Sequence, residues 1–103
     1  MATSSIRILG RTYKIKRLRR MKDAGNCDYQ KAELRVSATQ DELEQKDTLL
    51  HEIMHAIRYQ QGRENGGEVE EDYVRSLATG LIAVLQDNPD FAAWLGQPVK
   101  DTP

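Results

Sequence analysis

His51-Glu52-Ile53-Met54-His55 has the form H-E-x-x-H. On an α-helix, residues four apart lie on one face with Cβ atoms about 5–6 Å apart. Two imidazoles leaving that face can therefore meet at one ion, each at about 2.0–2.1 Å. Glu52 follows the first histidine and can reach a water beside such an ion without being a ligand. Two ligands, a base and an open position are what metal-assisted hydrolysis requires. These are the chain's only two histidines.

The flanking residues have helical spacing. Leu43, Leu50, Met54 and Ile57 make one apolar stripe, widened by Ile53 and Ala56, and Thr48, His51 and His55 lie on a neighbouring stripe. The pattern predicts a helix from about Gln40 to Gln61, with Thr39 as N-cap and Glu42 at the third position of a capping box. It ends before Gly62, and Gly62–Gly67 reads as loop. A second helix is predicted over Glu68–Gln86. Its Val74, Leu77, Ala78, Leu81, Ile82 and Leu85 repeat at helical spacing and are expected to pack on the first. Asn88-Pro89 breaks it. Asn88 is expected to cap a short final helix anchored by Phe91, Trp94 and Leu95 and stopped by Gly96.

Upstream, residues 1–5 are expected to fray. Ile6–Leu9 reads as a strand, and Tyr13 and Ile15 alternate with Lys14 and Lys16 as a half-buried strand does. The turn between them is expected at Gly10-Arg11. Asp23–Asp28 reads as a turn with its corner at Gly25-Asn26. Lys31–Ala38 alternates again, with Leu34 and Val36 on one face and Glu33, Arg35 and Ser37 on the other, and is expected at a sheet edge. The fold class is α+β: about three strands in a small antiparallel-type sheet, packed on the motif helix and a second long helix, with a short C-terminal helix. Residues 1–96 form one domain and 97–103 a disordered tail.

A chain of 103 residues has room for one modest core. Its single cysteine excludes an internal disulfide, and Cys27 reads as a small apolar side chain. The first eleven residues lack the apolar core of a signal peptide. Leu77–Leu85, the longest apolar stretch, is too short to cross a bilayer. A cytoplasmic location is expected. Charge is uneven: residues 1–22 hold eight Lys and Arg and no acid, hence +8, while residues 23–103 hold seven basic and sixteen acidic groups, hence −9. Such asymmetry can mark a nucleic-acid surface, but only if the cations share one face. The favoured expectation is that the basic segment packs beside the acidic helices and is partly neutralised there.

A catalytic zinc takes three protein ligands and a water. With no third histidine, the third ligand must be a carboxylate or Cys27. The acids that open the second helix follow the motif closely. Stepping back three residues from Val74 gives Glu71, and four gives Glu70, so Glu71 is expected first, Glu70 second and Glu68 third.

Together with this motif, Glu71-Asp72-Tyr73-Val74-Arg75-Ser76-Leu77-Ala78 resembles the second helix of gluzincin-type metallopeptidases. The chain is similar in particular to ImmA/IrrE-like proteins and to short relatives encoded by phages and prophages. There a Glu opens an apolar helix of pattern E-x-x-A-x-x-F-A. Glu71 and Ala78 match it, while Val74 and Leu77 depart from it. The resemblance covers roughly residues 25–88. It implies a minimal zincin-like domain, Zn2+ held by His51, His55 and Glu71, and peptide-bond hydrolysis with Glu52 as general base. Leu34, Arg35 and Val36 are expected to bind an extended protein or peptide substrate along a free strand edge. Tyr29, Tyr59, Tyr73 and Arg75 are candidates for stabilising the oxyanion. No helix-turn-helix extension is present, so repressor cleavage is not implied. The rival readings are a zinc-bound adaptor that cleaves nothing, and nucleic-acid association through residues 7–22.

Overall fold

The computed structural model describes residues 4–63 and 67–99, so the expectations for residues 1–3, for the loop at 64–66 and for the tail at 100–103 fall outside it. It is an α+β fold of four strands and three helices.

Strands β1 (Ser5–Ile8) and β2 (Arg11–Leu18) form a hairpin with Ile8 opposite Arg11. Its two-residue turn is Leu9-Gly10, with φ of 47° and 87°. Two positive φ values give a turn whose twist matches the strands, and this places the corner one residue before Gly10-Arg11. Ser5 is held in β1 and is not frayed. Strands β3 (Gly25–Asp28) and β4 (Glu33–Ser37) complete the sheet in the order β1-β2-β4-β3. The β2–β4 pair is parallel and the other two are antiparallel. The sheet is thus mixed and four-stranded, not a three-stranded antiparallel one. Gly25–Asp28, within the stretch Asp23–Asp28 that reads as a turn, is one of its two edge strands.

β4 is therefore an inner strand. Leu34 and Val36 are 0% and 1% exposed. Arg35 bonds to Asn26, Asp28 and Glu33. With β2 on one side and β3 on the other, this strand has no open edge, so Leu34, Arg35 and Val36 cannot receive a substrate strand as expected.

Helix α1 (Glu42–Gln60) lies on the sheet. Ile8, Tyr13, Ile15 and Leu34 meet Ala56, with Leu49, Ile53 and Ile57 packed around them. The face toward the sheet is thus centred on Leu49, Ile53 and Ala56, not on Leu43, which is exposed. The Tyr13 hydroxyl donates to Gln60 Oε1 at 2.7 Å, and Gln60 Nε2 donates to the Leu9 carbonyl at 3.2 Å, tying the helix end to the hairpin. The N-cap is Asp41, with Glu44 closing the capping box, two residues beyond the Thr39–Glu42 expectation. Thr39 Oγ1 instead lies 2.8 Å from Ser37 Oγ. At the other end Gly62 has φ 70°, its N–H bonds to Tyr59 O and that of Arg63 to Arg58 O. This is a Schellman stop, for which glycine suits the left-handed position.

Helix α2 (Glu68–Asp87) runs back along α1, and α3 (Pro89–Leu95) follows it. Only Val74 and Ala78 of α2 are buried, whereas Leu77 is 59% exposed. The expected wide apolar interface is a narrow one. The expected anchors Phe91, Trp94 and Leu95 are also exposed. Asn88 is the N-cap of α3 as expected, with Pro89 opening the helix, but it makes no side-chain cap bond; its Nδ2 donates to the Val84 carbonyl and closes α2 instead.

Candidate metal centre

His51 and His55 leave α1 on the side where α2 begins. Glu71 belongs to the first turn of α2, and its carboxylate crosses to both rings. Oε1 stands 2.6 Å from His51 Nε2, and Oε2 stands 3.0 Å from His55 Nε2. The two Nε2 atoms are 3.2 Å apart. Ligands at about 2.0–2.1 Å around a tetrahedral ion stand about 3.3–3.4 Å from one another. The three side chains thus have the donor types and nearly the spacing that one ion requires, and their ligand atoms all lie within 4.8 Å of one another.

Burial holds His51 below the usual histidine range, since desolvation disfavours the imidazolium and outweighs the nearby Glu71 carboxylate. A neutral ring is the form that ligates metal. The other two carboxylate candidates are placed elsewhere. Glu70 is turned to Arg58, whose Nη2 is 2.8 Å from its Oε2, and Glu68 is exposed at the helix start.

Glu52 is buried beside the pair but outside the ligand trio. Desolvation, with the Glu71 and Asp23 charges adding to it, pushes its carboxyl up to about 7, although His55 opposes the shift. Gly25 brings β3 against α1 at this point. A Cβ there would stand 2.5 Å from Thr48 Cγ2, 2.8 Å from Arg35 O and 3.5 Å from Glu52 Cγ. No side chain but hydrogen fits between edge strand and helix.

The trio and Glu52 open into a cleft of about 570 Å³. One wall is Asp23–Cys27, the start of the edge strand, and the other is α1 with Arg75 and Thr79 of α2. Sequence reasoning missed this wall because it read the stretch as a turn. It also missed Asp47 and Thr79, whose side chains join α1 to α2 at 3.0 Å. Cys27 lines the cleft without joining the trio. Burial, then the Glu52 and Asp28 charges, push its thiol up to about 12.

Of the four expected oxyanion donors, Arg75 borders the cleft, 3.7 Å from Glu71 Oε1. Tyr29 and Tyr59 stack on each other at 4.2 Å in an adjoining hollow. Tyr73 is exposed in an apolar groove with Met54, Ile57 and Leu77.

Compared with protein-family models, curated proteins and solved structures, the chain shows no match. No helix among the described residues is long and apolar enough to cross a membrane.

Proposed function

We propose that this chain is a zinc-dependent metallopeptidase with a minimal zincin-like domain of the gluzincin type, similar to the ImmA/IrrE-like group. The observation that carries the reading is the convergence of His51 Nε2, His55 Nε2 and both Glu71 oxygens, with the buried Glu52 beside them. His51, His55 and Glu71 would hold the ion. Bound there, zinc supplies a water acidified to about pKa 7 and polarises a carbonyl oxygen.

The protein's own groups do the rest. Glu52 takes a proton from the attacking water and gives it to the leaving amine. A carboxyl whose pKa is near the working pH can do both. β3 pairs with β4 on one side only, and its Gly25–Cys27 stretch borders the cleft. An extended peptide adds to this free side through backbone hydrogen bonds, a mode tolerant of sequence. Arg75, on the rim, is the donor for developing negative charge.

Glu52→Gln separates this reading from that of a zinc-bound adaptor. Zinc retained with peptide hydrolysis abolished supports the peptidase. Unchanged biological activity in the variant supports the adaptor.

A further inference from the structure

The sheet has a basic outer face. Residues of β2 alternate, with Tyr13 and Ile15 buried toward the helices and Thr12, Lys14 and Lys16 exposed on the other side. Arg7 lies opposite Thr12 and Ser5 opposite Lys14, so Arg7 and Lys14 are diagonal cross-strand neighbours, about 7–8 Å apart. Lys16 lies opposite Arg35. The acids of this face are Glu33 and Asp28, and both are engaged. Lys16 Nζ is 3.0 Å from Glu33, and Arg35 is 2.8 Å from Glu33 and 3.2 Å from Asp28. The β1–β2 half carries no acid, and the chain continues from it through Arg19, Arg20 and Lys22, all exposed. The acids of the molecule gather in the opposite layer, on α1 and α2. The expected neutralisation by the helices does not occur at Lys16, which pairs within the sheet.

We propose that β1, β2 and the segment to Lys22 form a docking surface for the backbone of duplex nucleic acid, separate from the metal centre. Cations in excess, with the face's two acids Glu33 and Asp28 confined to β4 and β3, suit a polyanion, whose affinity comes from counterion release. β2 has eight residues and spans about 26 Å at a rise of about 3.3 Å each. That is the length of about eight base pairs at 3.4 Å per step. The large apolar side chains exposed beside it are Leu9, in the turn before it, and Leu18, at its end. A protein interface has an apolar centre ringed by polar groups, and a surface-bound membrane segment has an apolar face as well as cations. This stripe has neither. With no base-reading element in a groove, its binding is indifferent to sequence.

The test is fluorescence anisotropy of a labelled DNA duplex of arbitrary sequence, titrated with the full chain over a range of salt concentrations. Beside the wild type stand Arg7→Gln/Lys14→Gln and Arg19→Gln/Arg20→Gln. All four positions are exposed, and circular dichroism checks that the fold is kept. Wild-type binding that weakens steeply with salt is expected, and each double variant should lower the slope of log K against log salt by about 2 in magnitude, from about 0.9 per phosphate contact. His55→Ala, which disables the metal centre, should bind DNA as the wild type does. No binding at low salt, or slopes unchanged in both double variants, would overturn the proposal. So would capture by phosphatidylserine vesicles without binding to DNA.

Discussion

Arg58 Nη2 lies 2.8 Å from Glu70 Oε2, joining α1 to α2 one residue before Glu71. Arg58 is one turn beyond His55, and the Glu70 side chain is only 8% exposed. On the other flank of the centre, Thr79 Oγ1 meets both oxygens of Asp47, one turn before His51. With Val74 and Ala78 the only buried apolar residues of α2, these two polar contacts help fix how α2 sits on α1. Glu70→Ala leaves the Arg58 guanidinium without this carboxylate. It should destabilise the protein by about 1–3 kcal/mol in urea denaturation and weaken zinc binding as well. Asp47→Ala should weaken zinc binding with a smaller loss of stability, because that contact is exposed.

Gly25→Ala should separate β3 from α1. The added methyl meets Thr48 Cγ2 at 2.5 Å and the Arg35 carbonyl at 2.8 Å. Overpacking of this kind costs about 1–3 kcal/mol, read as a lower denaturation midpoint. Thr48→Ala in the same chain should recover part of the loss but not all, since the Arg35 contact is with backbone.

Leu9 has φ 47° and is largely exposed. The left-handed region costs a β-carbon residue about 1–2 kcal/mol, and Asn-Gly is the favoured pair for this turn. Leu9→Asn should therefore raise the thermal midpoint, by about 4–8 °C for each kcal/mol gained in a domain of this size. The Gln60 bond is to the Leu9 carbonyl and survives the change.

Acid should weaken the ion pairs on the sheet's outer face. A backbone N–H from Lys31 holds the Asp28 carboxyl below the usual range, and the Lys16 ammonium does the same for Glu33. Both groups thus stabilise the fold at pH values above the ordinary carboxyl range, and this contribution is lost as pH falls through their lowered values. Denaturation midpoints measured from neutral pH to pH about 3 should fall for the wild type, and less steeply for Glu33→Gln.

Cys27, with its thiol pushed up to about 12, should react slowly with iodoacetamide at mildly alkaline pH, because the thiolate is the nucleophile. Alkylation should become fast once urea exposes it. Rapid labelling of the folded chain would contradict the burial seen here.

The motif helix was readable because 3.6-residue periodicity puts positions 51 and 55 on one face whatever surrounds them. That Glu71, of the three acids, is the one to reach the histidine pair was readable because it continues the buried Val74–Ala78 stripe. The capping box was displaced because Thr39-x-x-Glu42 and Asp41-x-x-Glu44 both fit the pattern, and the choice depends on Ser37 engaging Thr39. β3 was illegible for a stronger reason. Gly25, Asn26 and Asp28 are turn formers with poor strand propensity, and pairing with β4 holds them extended. Alternation in Leu34–Val36 announces a strand with two faces but not which neighbours flank it. The parallel β2–β4 pair leaves no local mark at all, and so β4 is expected at a sheet edge when it lies inside the sheet.

The most direct measurement is zinc stoichiometry and affinity, by competition with a chromophoric chelator, for the wild type beside Glu71→Gln. The account predicts one tightly held ion per chain and a marked loss of affinity in the variant. A wild-type chain that takes up no zinc, or a Glu71→Gln chain that holds it equally well, would contradict it.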